Sequence, residues 1–214
     1  MVDRTTFASI EGAIADIRAG RMVIVLDDDD RENEGDLIMA AQACADTDIA
    51  FMRRHGSGVI CVPLTRERLD ELALPQMVAR NEAHLATAFS ISVDAREGIS
   101  SGISATDRAR TIRLLADPER GAADLVRPGH IFPLEARDGG VLVRAGHTEA
   151  AIDLCRMAGT RPAAAPCGIR NDGGSMQRLP ELTKFAQEEG LKMSTGKDLL
   201  AERLAREQLG ERVD

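Results

Sequence analysis

The chain has 214 residues, 43% of them hydrophobic, with no Trp or Tyr, only five Phe and a formal net charge of −8. That size suits a single domain with an aliphatic core. An acidic chain without aromatics offers neither a phosphate-neutralising face nor a base-stacking platform, so nucleic acid is excluded as an expected partner, whereas an anionic small molecule in a locally positive pocket is not.

No apolar run approaches the roughly 20 residues of a membrane span, and residues 1–7 lack an apolar signal core. The cysteines at 44, 61, 155 and 167 form no C-x-x-C pair, so reduced thiols in a cytoplasmic protein are expected.

Phe7, Ile10, Ala13, Ile14 and Ile17 recur at helical spacing, and Gly20 follows as a stop. The apolar run 22–26 reads as a buried strand. It empties into Asp27-Asp28-Asp29-Asp30-Arg31-Glu32-Asn33-Glu34-Gly35-Asp36, which packs seven carboxylates and one arginine into ten residues. Acids this close repel, and their pKa values rise unless a cation compensates. The segment suits either a solvated turn or a site for a divalent cation and proton transfer. If extended, it puts Glu32, Glu34 and Asp36 on one side.

Residues 37–45 are apolar and mostly small. A turn at 55–58 leads into a buried strand over 59–62, closed by Pro63. Thr65 caps a helix through about Leu72. Residues 89–93 alternate like a half-buried strand, and 106–115 read as a helix capped by Thr106 or Ser104. Residues 131–134 and 140–143 are predicted to pair as strands around a turn at 137–140. A helix over 148–157 ends at Gly159. A strand follows over 163–169, then helices over 182–189 and 197–208, and residues 210–214 form a fraying tail. No repeat, Walker loop or G-x-G-x-x-G is present. The reading is α+β: one domain over 1–214, a mixed sheet flanked by helices.

A second informative stretch is Arg144-Ala145-Gly146-His147-Thr148-Glu149. A strand ends, a small-residue turn follows and a helix begins. Backbone N–H groups at such a terminus attract anions, and Arg144 and Thr148 add donors. The simpler reading makes Thr148 only an N-cap. His147, on the rim of this turn, is placed to join the acids around Mg2+ or Mn2+. His130 sits in a loop stiffened by Pro128 and Pro133, which suits a positioned acid or base and equally a structural loop.

These motifs resemble those of the 3,4-dihydroxy-2-butanone 4-phosphate synthase family of riboflavin biosynthesis. The acidic segment matches its signature loop. The likeness continues through His55-Gly-Ser-Gly-Val-Ile-Cys61, Thr87-Ala-Phe-Ser90, Gly102-Ile-Ser-Ala-Thr-Asp-Arg108, Arg127-Pro-Gly-His-Ile-Phe-Pro133, the 144–150 turn and Asn171-Asp-Gly-Gly-Ser-Met176. It covers essentially the whole chain.

The resemblance implies a Mg2+-dependent (or Mn2+-dependent) lyase that converts D-ribulose 5-phosphate into formate and a four-carbon ketone phosphate, working as a homodimer with sites at the subunit interface. It implies Glu32 and His147 as metal ligands. Arg31, Asp36 and the turn Arg144, Ala145, Gly146, His147, Thr148 would hold the sugar phosphate. Glu34, Asp36 and His130 would handle protons, and Cys61 would lie near the substrate. It also leads us to expect no room for the cyclohydrolase domain sometimes fused to this family.

One departure stands out. The family carries a catalytic Glu before the Asn-Asp-Gly turn, and here that position is Gly168; Asp30 and Gly174 are minor departures. A lost acid/base group costs about 10²–10⁴ in rate. The chain is then an active synthase in which another acid, such as Glu149 or Asp172, substitutes; a homologue giving a different product; or a synthase with an incidental substitution. A non-catalytic binding protein is a fourth reading, and retention of so many proton-handling groups argues against it.

Overall fold

The computed structural model describes residues 7–28, 31–211 and 213. Asp29 and Asp30 of the acidic segment, the N-terminal residues 1–6, and residues 212 and 214 of the expected frayed tail lie outside them.

The order of elements is α1 (Ile10–Arg18), β1 (Val23–Leu26), β2 (Gly35–Ala40), α2 (Asp46–His55), β3 (Cys61–Leu64), α3 (Arg66–Glu71), β4 (Val93–Ala95), α4 (Ala105–Ala116), β5 (Leu125–Glu135), α5 (His147–Met157), β6 (Ala164–Gly168), α6 (Leu179–Glu189), β7 (Lys192–Thr195) and α7 (Gly196–Gln208). The fold is α+β, and the expected mixed sheet is in fact two. One is four-stranded, in the order β6-β2-β1-β7, and the other three-stranded, in the order β3-β5-β4. In the first, β1 is antiparallel to β2 and parallel to β7, and β2 is antiparallel to β6. In the second, β3 is parallel and β4 antiparallel to β5.

The continuous apolar run of β1 reflects burial on both faces. Ile24 and Leu26, with Leu37, Met39, Ala165 and Cys167, point into a core shared with α2, α4, α6 and the second sheet. Val23 and Val25, with Ile38, Ala40 and Ala164, point into a second core under α1, α5 and α7.

Several expectations shift. The hairpin of 131–134 with 140–143 does not form. Residues 125–135 are one long strand pairing with β3 and β4, and Gly140–Leu142 is a turn of 3-10 helix. Gly139 and Gly140 take φ of 88° and 61°, and the Asp153 carboxylate accepts the Val141 N–H at 2.9 Å, which takes the ladder donor away. The strand expected over 89–93 begins only at Val93, with Phe89 and Ser90 in isolated bridges.

The strand placed at 59–62 lies at Cys61–Leu64 and contains Pro63, tolerated at this edge because a ladder donor is not needed there. Ser104, not Thr106, caps α4, accepting from the Asp107 N–H at 3.0 Å. Gly146, not Thr148, caps α5. The helix expected from Phe7 starts at Ile10 behind Ser9, and β2, α2 and β7 were not anticipated. In the tail, Val213 packs against the second core and its carbonyl accepts from Arg203 at 3.2 Å.

Asp153 and Arg203 form an ion pair of 2.9 Å between α5 and α7 with side chains 0% and 3% exposed. Removing one partner strands the other charge in the core. Asp153→Ala is therefore expected to lose about 3–5 kcal/mol of stability in urea unfolding; a loss under about 1 kcal/mol would show that the pair contributes no more than a surface bridge.

Candidate active site

β1 and β2 form a hairpin whose connection is the acidic segment, and Asp27 organises it. Its carboxylate accepts the Glu34 N–H at 2.9 Å, the Glu32 N–H at 3.3 Å and the Arg31 guanidinium at 2.6 Å. The Asp27 N–H in turn donates to the Glu34 carbonyl at 3.1 Å. Asn33 takes φ 52° within the turn, a conformation Asn tolerates better than most residues. The chain becomes extended only at Gly35, so the alternation that would align Glu32, Glu34 and Asp36 is broken, and each acid meets a different neighbour.

Glu32 pairs with Arg31 at 2.9 Å. Glu34 lies 3.7 Å from Arg178, whose guanidinium also clamps the Glu32 and Asn33 carbonyls. Asp36, with a side chain only 16% exposed, lies 3.8 Å from His147 Nδ1. Burial holds its carboxyl above the usual range, and the His147 charge opposes that rise. Burial also raises Glu34, reinforced by Glu32. Cys61, at the start of β3, is pushed up to about 12 by burial and by the nearby Asp36. Cys167 is pushed up to about 11 for the same reasons. These thiols are protonated at neutral pH and are poor nucleophiles.

His147 opens α5 and is buried. Its Nε2 lies 3.2 Å from the Val25 carbonyl, which only accepts, so Nε2 carries a hydrogen and Nδ1 faces the acids. Ligand atoms of Asp27, Glu32 and His147 all lie within 4.8 Å of one another. Two carboxylates and an imidazole oriented by a carbonyl form a donor set that fits a hard divalent cation such as Mg2+ or Mn2+. Arg31 already bridges Asp27 and Glu32, so the two acids gathered here carry their own counter-charge.

The structure therefore brings Arg31, Glu32, Glu34, Asp36, Cys61, Ala145, Gly146 and His147 around the β1–β2 connection, and adds Asp27. Ala145, Gly146 and His147 share a small cavity with Asp27, and Thr148 is buried behind them. Arg144 is not free in this state. Glu149 holds it at 2.6 Å, and its other end meets the Leu85 carbonyl and the Thr87 hydroxyl at 3.2 and 3.3 Å. Glycine at 146 makes that pair sterically feasible, since a Cβ there would lie 2.3 Å from an Arg144 nitrogen. Glu149, 1% exposed, also accepts the Arg137 N–H at 3.0 Å, so one of the two candidate substitute acids is already committed. The other, Asp172, is exposed in a turn that lines a separate pocket with Arg54 and His55.

His130 lies on β5 in the second sheet. Asp94 of β4 holds it doubly, accepting from the His130 N–H at 2.9 Å and contacting Nδ1 at 2.7 Å, and its side chain is 41% exposed. Among the described residues it shares no hydrogen bond or ion pair with the acid cluster.

Gly168 ends β6 in register with Asp36. A Cβ there would lie 3.4 Å from an Asp36 oxygen and 2.7 Å from the Met176 methyl. A side chain at this position thus enters the site, where Met176 now fills the space.

Sequence reasoning missed Asp27 as a site member, although an Asp directly after a buried strand is a common acceptor for turn N–H groups. It also missed Arg178 and Asp94, for which no local signal exists.

Because the Asp36 carboxyl is raised above its unfolded value, the stability it contributes is present at low pH and lost as pH rises through its folded pKa. In chelator, Asp36→Asn is expected to have a higher urea midpoint than the native chain at neutral pH, with the difference shrinking on acidification. A lower midpoint at neutral pH would show that the ionised carboxylate is held favourably instead.

The family model for 3,4-dihydroxy-2-butanone 4-phosphate synthase matches residues 11–202. The chain is 54% identical over 205 residues to the 3,4-dihydroxy-2-butanone 4-phosphate synthase of Pseudomonas aeruginosa, covering 96% of this chain and 56% of that protein. It is 56% identical over 209 residues to the riboflavin biosynthesis protein RibBA of Salinispora arenicola, covering 98% and 50%. It spans about half the length of these curated relatives.

A crystal structure of 3,4-dihydroxy-2-butanone 4-phosphate synthase with two magnesium ions superposes with a TM-score of 0.90 at 44% identity, covering 96% of this chain and all of that one. A two-domain synthase from A. baumannii gives 0.88 at 48% identity, covering 92% and 58%. The chain belongs to the 3,4-dihydroxy-2-butanone 4-phosphate synthase family.

Proposed function

We propose that this chain converts D-ribulose 5-phosphate into L-3,4-dihydroxy-2-butanone 4-phosphate and formate. The observation that carries the proposal is the convergence of Asp27, Glu32 and His147 next to the buried carboxyl of Asp36. The reaction is balanced without an external oxidant: a five-carbon ketose phosphate divides into a four-carbon ketone phosphate and formate, through an enediol, loss of water, a skeletal shift and C–C cleavage in which water is taken up.

Glu32 and His147, joined by Asp27, would hold Mg2+ or Mn2+. A hard cation there stabilises oxyanion charge on adjacent substrate oxygens. Arg31 would bind the sugar phosphate's oxygens, and Arg144 would do so once released from Glu149. The phosphate would seat on the N–H groups that open α5.

Glu34 and Asp36 are the proton carriers. Burial shifts both carboxyls upward, toward the range in which a side chain can donate as well as accept. His130, oriented through Nδ1 by Asp94, leaves Nε2 for proton exchange. Its side chain is 41% exposed, and in a homodimer it would reach the site of either copy. The four cysteines are free, which suits a reducing, cytoplasmic setting.

A second reading, a diverged homologue acting on the same or a similar sugar phosphate, is favoured by one observation: Gly168 puts no acid on β6 opposite Asp36. Uniformly 13C-labelled ribulose 5-phosphate incubated with the protein and Mg2+ distinguishes the two by NMR. Labelled formate with a four-carbon phosphate from the native chain is the expected result. A different product, or formate only from Gly168→Glu, would replace the first reading with the second.

His147→Ala is expected to abolish Mg2+-dependent turnover and weaken Mg2+ binding by at least about tenfold while the far-UV CD is kept. Unchanged binding would remove His147 from the ligand set.

A further inference from the structure

A pocket of about 260 Å³ on another part of the chain is lined by Arg96, Arg110, Arg113 and Arg120. α4 supplies Arg110 and Arg113 one turn apart, the residue after β4 supplies Arg96, and the turn leading to β5 closes the rim. A cluster of four guanidinium groups is unusual on a chain of net charge −8, and their partners differ in kind.

Arg120 is neutralised, by Asp117 at 3.9 Å and Asp124 at 3.4 Å, and Asp117 is further shared with Arg161 at 3.6 Å. Among the described residues, Arg96, Arg110 and Arg113 have no carboxylate oxygen within the 4.0 Å of an ion pair. They are held by backbone carbonyls instead, although Arg96 stands near enough to Asp124 to help lower that carboxyl. Arg96 donates to the Ala123 and Leu125 carbonyls at 2.6 and 2.8 Å, Arg110 to that of Glu97 at 2.7 Å, and Arg113 to that of Cys44.

The Arg110 guanidinium packs where a side chain at residue 98 would stand. Gly98 has φ +73°, and a Cβ there would lie 2.4 Å from Arg110 Cζ. Carbonyl partners fix a guanidinium without cancelling its charge, and a fork has five donors of which these bonds use one or two. The three arginines thus arrive positioned, cationic and with donors to spare, which lowers the entropy cost of binding an anion.

We propose that this pocket is a second anion site, separate from the acid cluster, and that it takes the diphosphate group of a small molecule. Two adjoining tetrahedral anions match three guanidinium forks better than one carboxylate does. The acids on the rim, Glu97, Asp117 and Asp124, repel an extended polyanion such as nucleic acid and favour a compact ligand.

Calorimetric titration with inorganic pyrophosphate and, separately, ADP tests the site on the full chain, without divalent ions and at about 0.15 M ionic strength, where exposed charges are largely screened. Arg96→Ala and Arg110→Ala are each expected to weaken binding about tenfold. His147→Ala and Lys184→Ala, in the acid cluster and on α6, should leave it unchanged. Tighter binding of ADP than of pyrophosphate would name a nucleotide as the source; equal binding would show that the diphosphate suffices.

Binding equally strong in Arg96→Ala and Arg110→Ala would overturn the proposal. So would equal weakening in Lys184→Ala, which would show unspecific attraction, or an absence of binding to the native chain. None of these outcomes depends on synthase activity, so the pocket and the proposed reaction stand or fall separately.

Discussion

The carboxylate of Asp27 is the constraint from which the site follows. By accepting two backbone N–H groups and a guanidinium, it turns a repulsive run of acids into a defined loop. A hydrogen bond from an N–H to a charged acceptor contributes about 1.5–3 kcal/mol, and here such bonds fix the directions in which the following acids leave the turn. Glu32 returns toward Asp27 and His147, Glu34 leans on Arg178, and Asp36 begins the strand. The same carboxylate therefore shapes the loop and stands among the atoms suited to hold a cation. Its two duties share oxygens with Arg31, so loading a cation implies competition with that guanidinium.

The sheet supplies the rest. β1 and β2 are buried on both faces, which places their connection at a sheet end packed by α5 on one side and by β3 on the other. His147 comes from the first side, anchored through Nε2 on the Val25 carbonyl of β1 itself. Cys61 comes from the second. The strand that carries the acids thus also holds the imidazole that faces them, and the separation between the two is set by backbone geometry instead of by flexible side chains.

Much of this was legible in the residues, and the exceptions have physical causes. Buried apolar runs and helical spacing located β1, α1, α4, α5, α7 and β6, because those patterns report burial directly. β2 was hidden because its start is acidic, and α2, Asp-Thr-Asp-Ile-Ala-Phe-Met-Arg-Arg-His, was passed over because it is polar and only Ile49 and Met52 are buried. The hairpin expected around residue 138 failed because a carboxylate one helix away, Asp153, takes the donor that a ladder would need. The acids and His147 were found by local density and by the turn before α5, whereas Arg178 and Asp94 act from distant segments and left no local trace.

Gly168 carries the remaining argument. β6 pairs with β2 so that residue 168 stands opposite Asp36, and any side chain there would share space with that carboxyl and with the Met176 methyl. A second acid at this point would push Asp36 further toward its protonated form. With glycine, that extra charge is missing and Met176 is an apolar neighbour, and burial, reinforced by Glu32 and Asp27, still keeps the Asp36 carboxyl raised. Glu149 does not come to its aid, because Arg144 and the Arg137 N–H already occupy it. In the reaction proposed above, the proton transfers would then rest on Asp36 and, from the loop, on Glu34. Burial raises both carboxyls above their usual range.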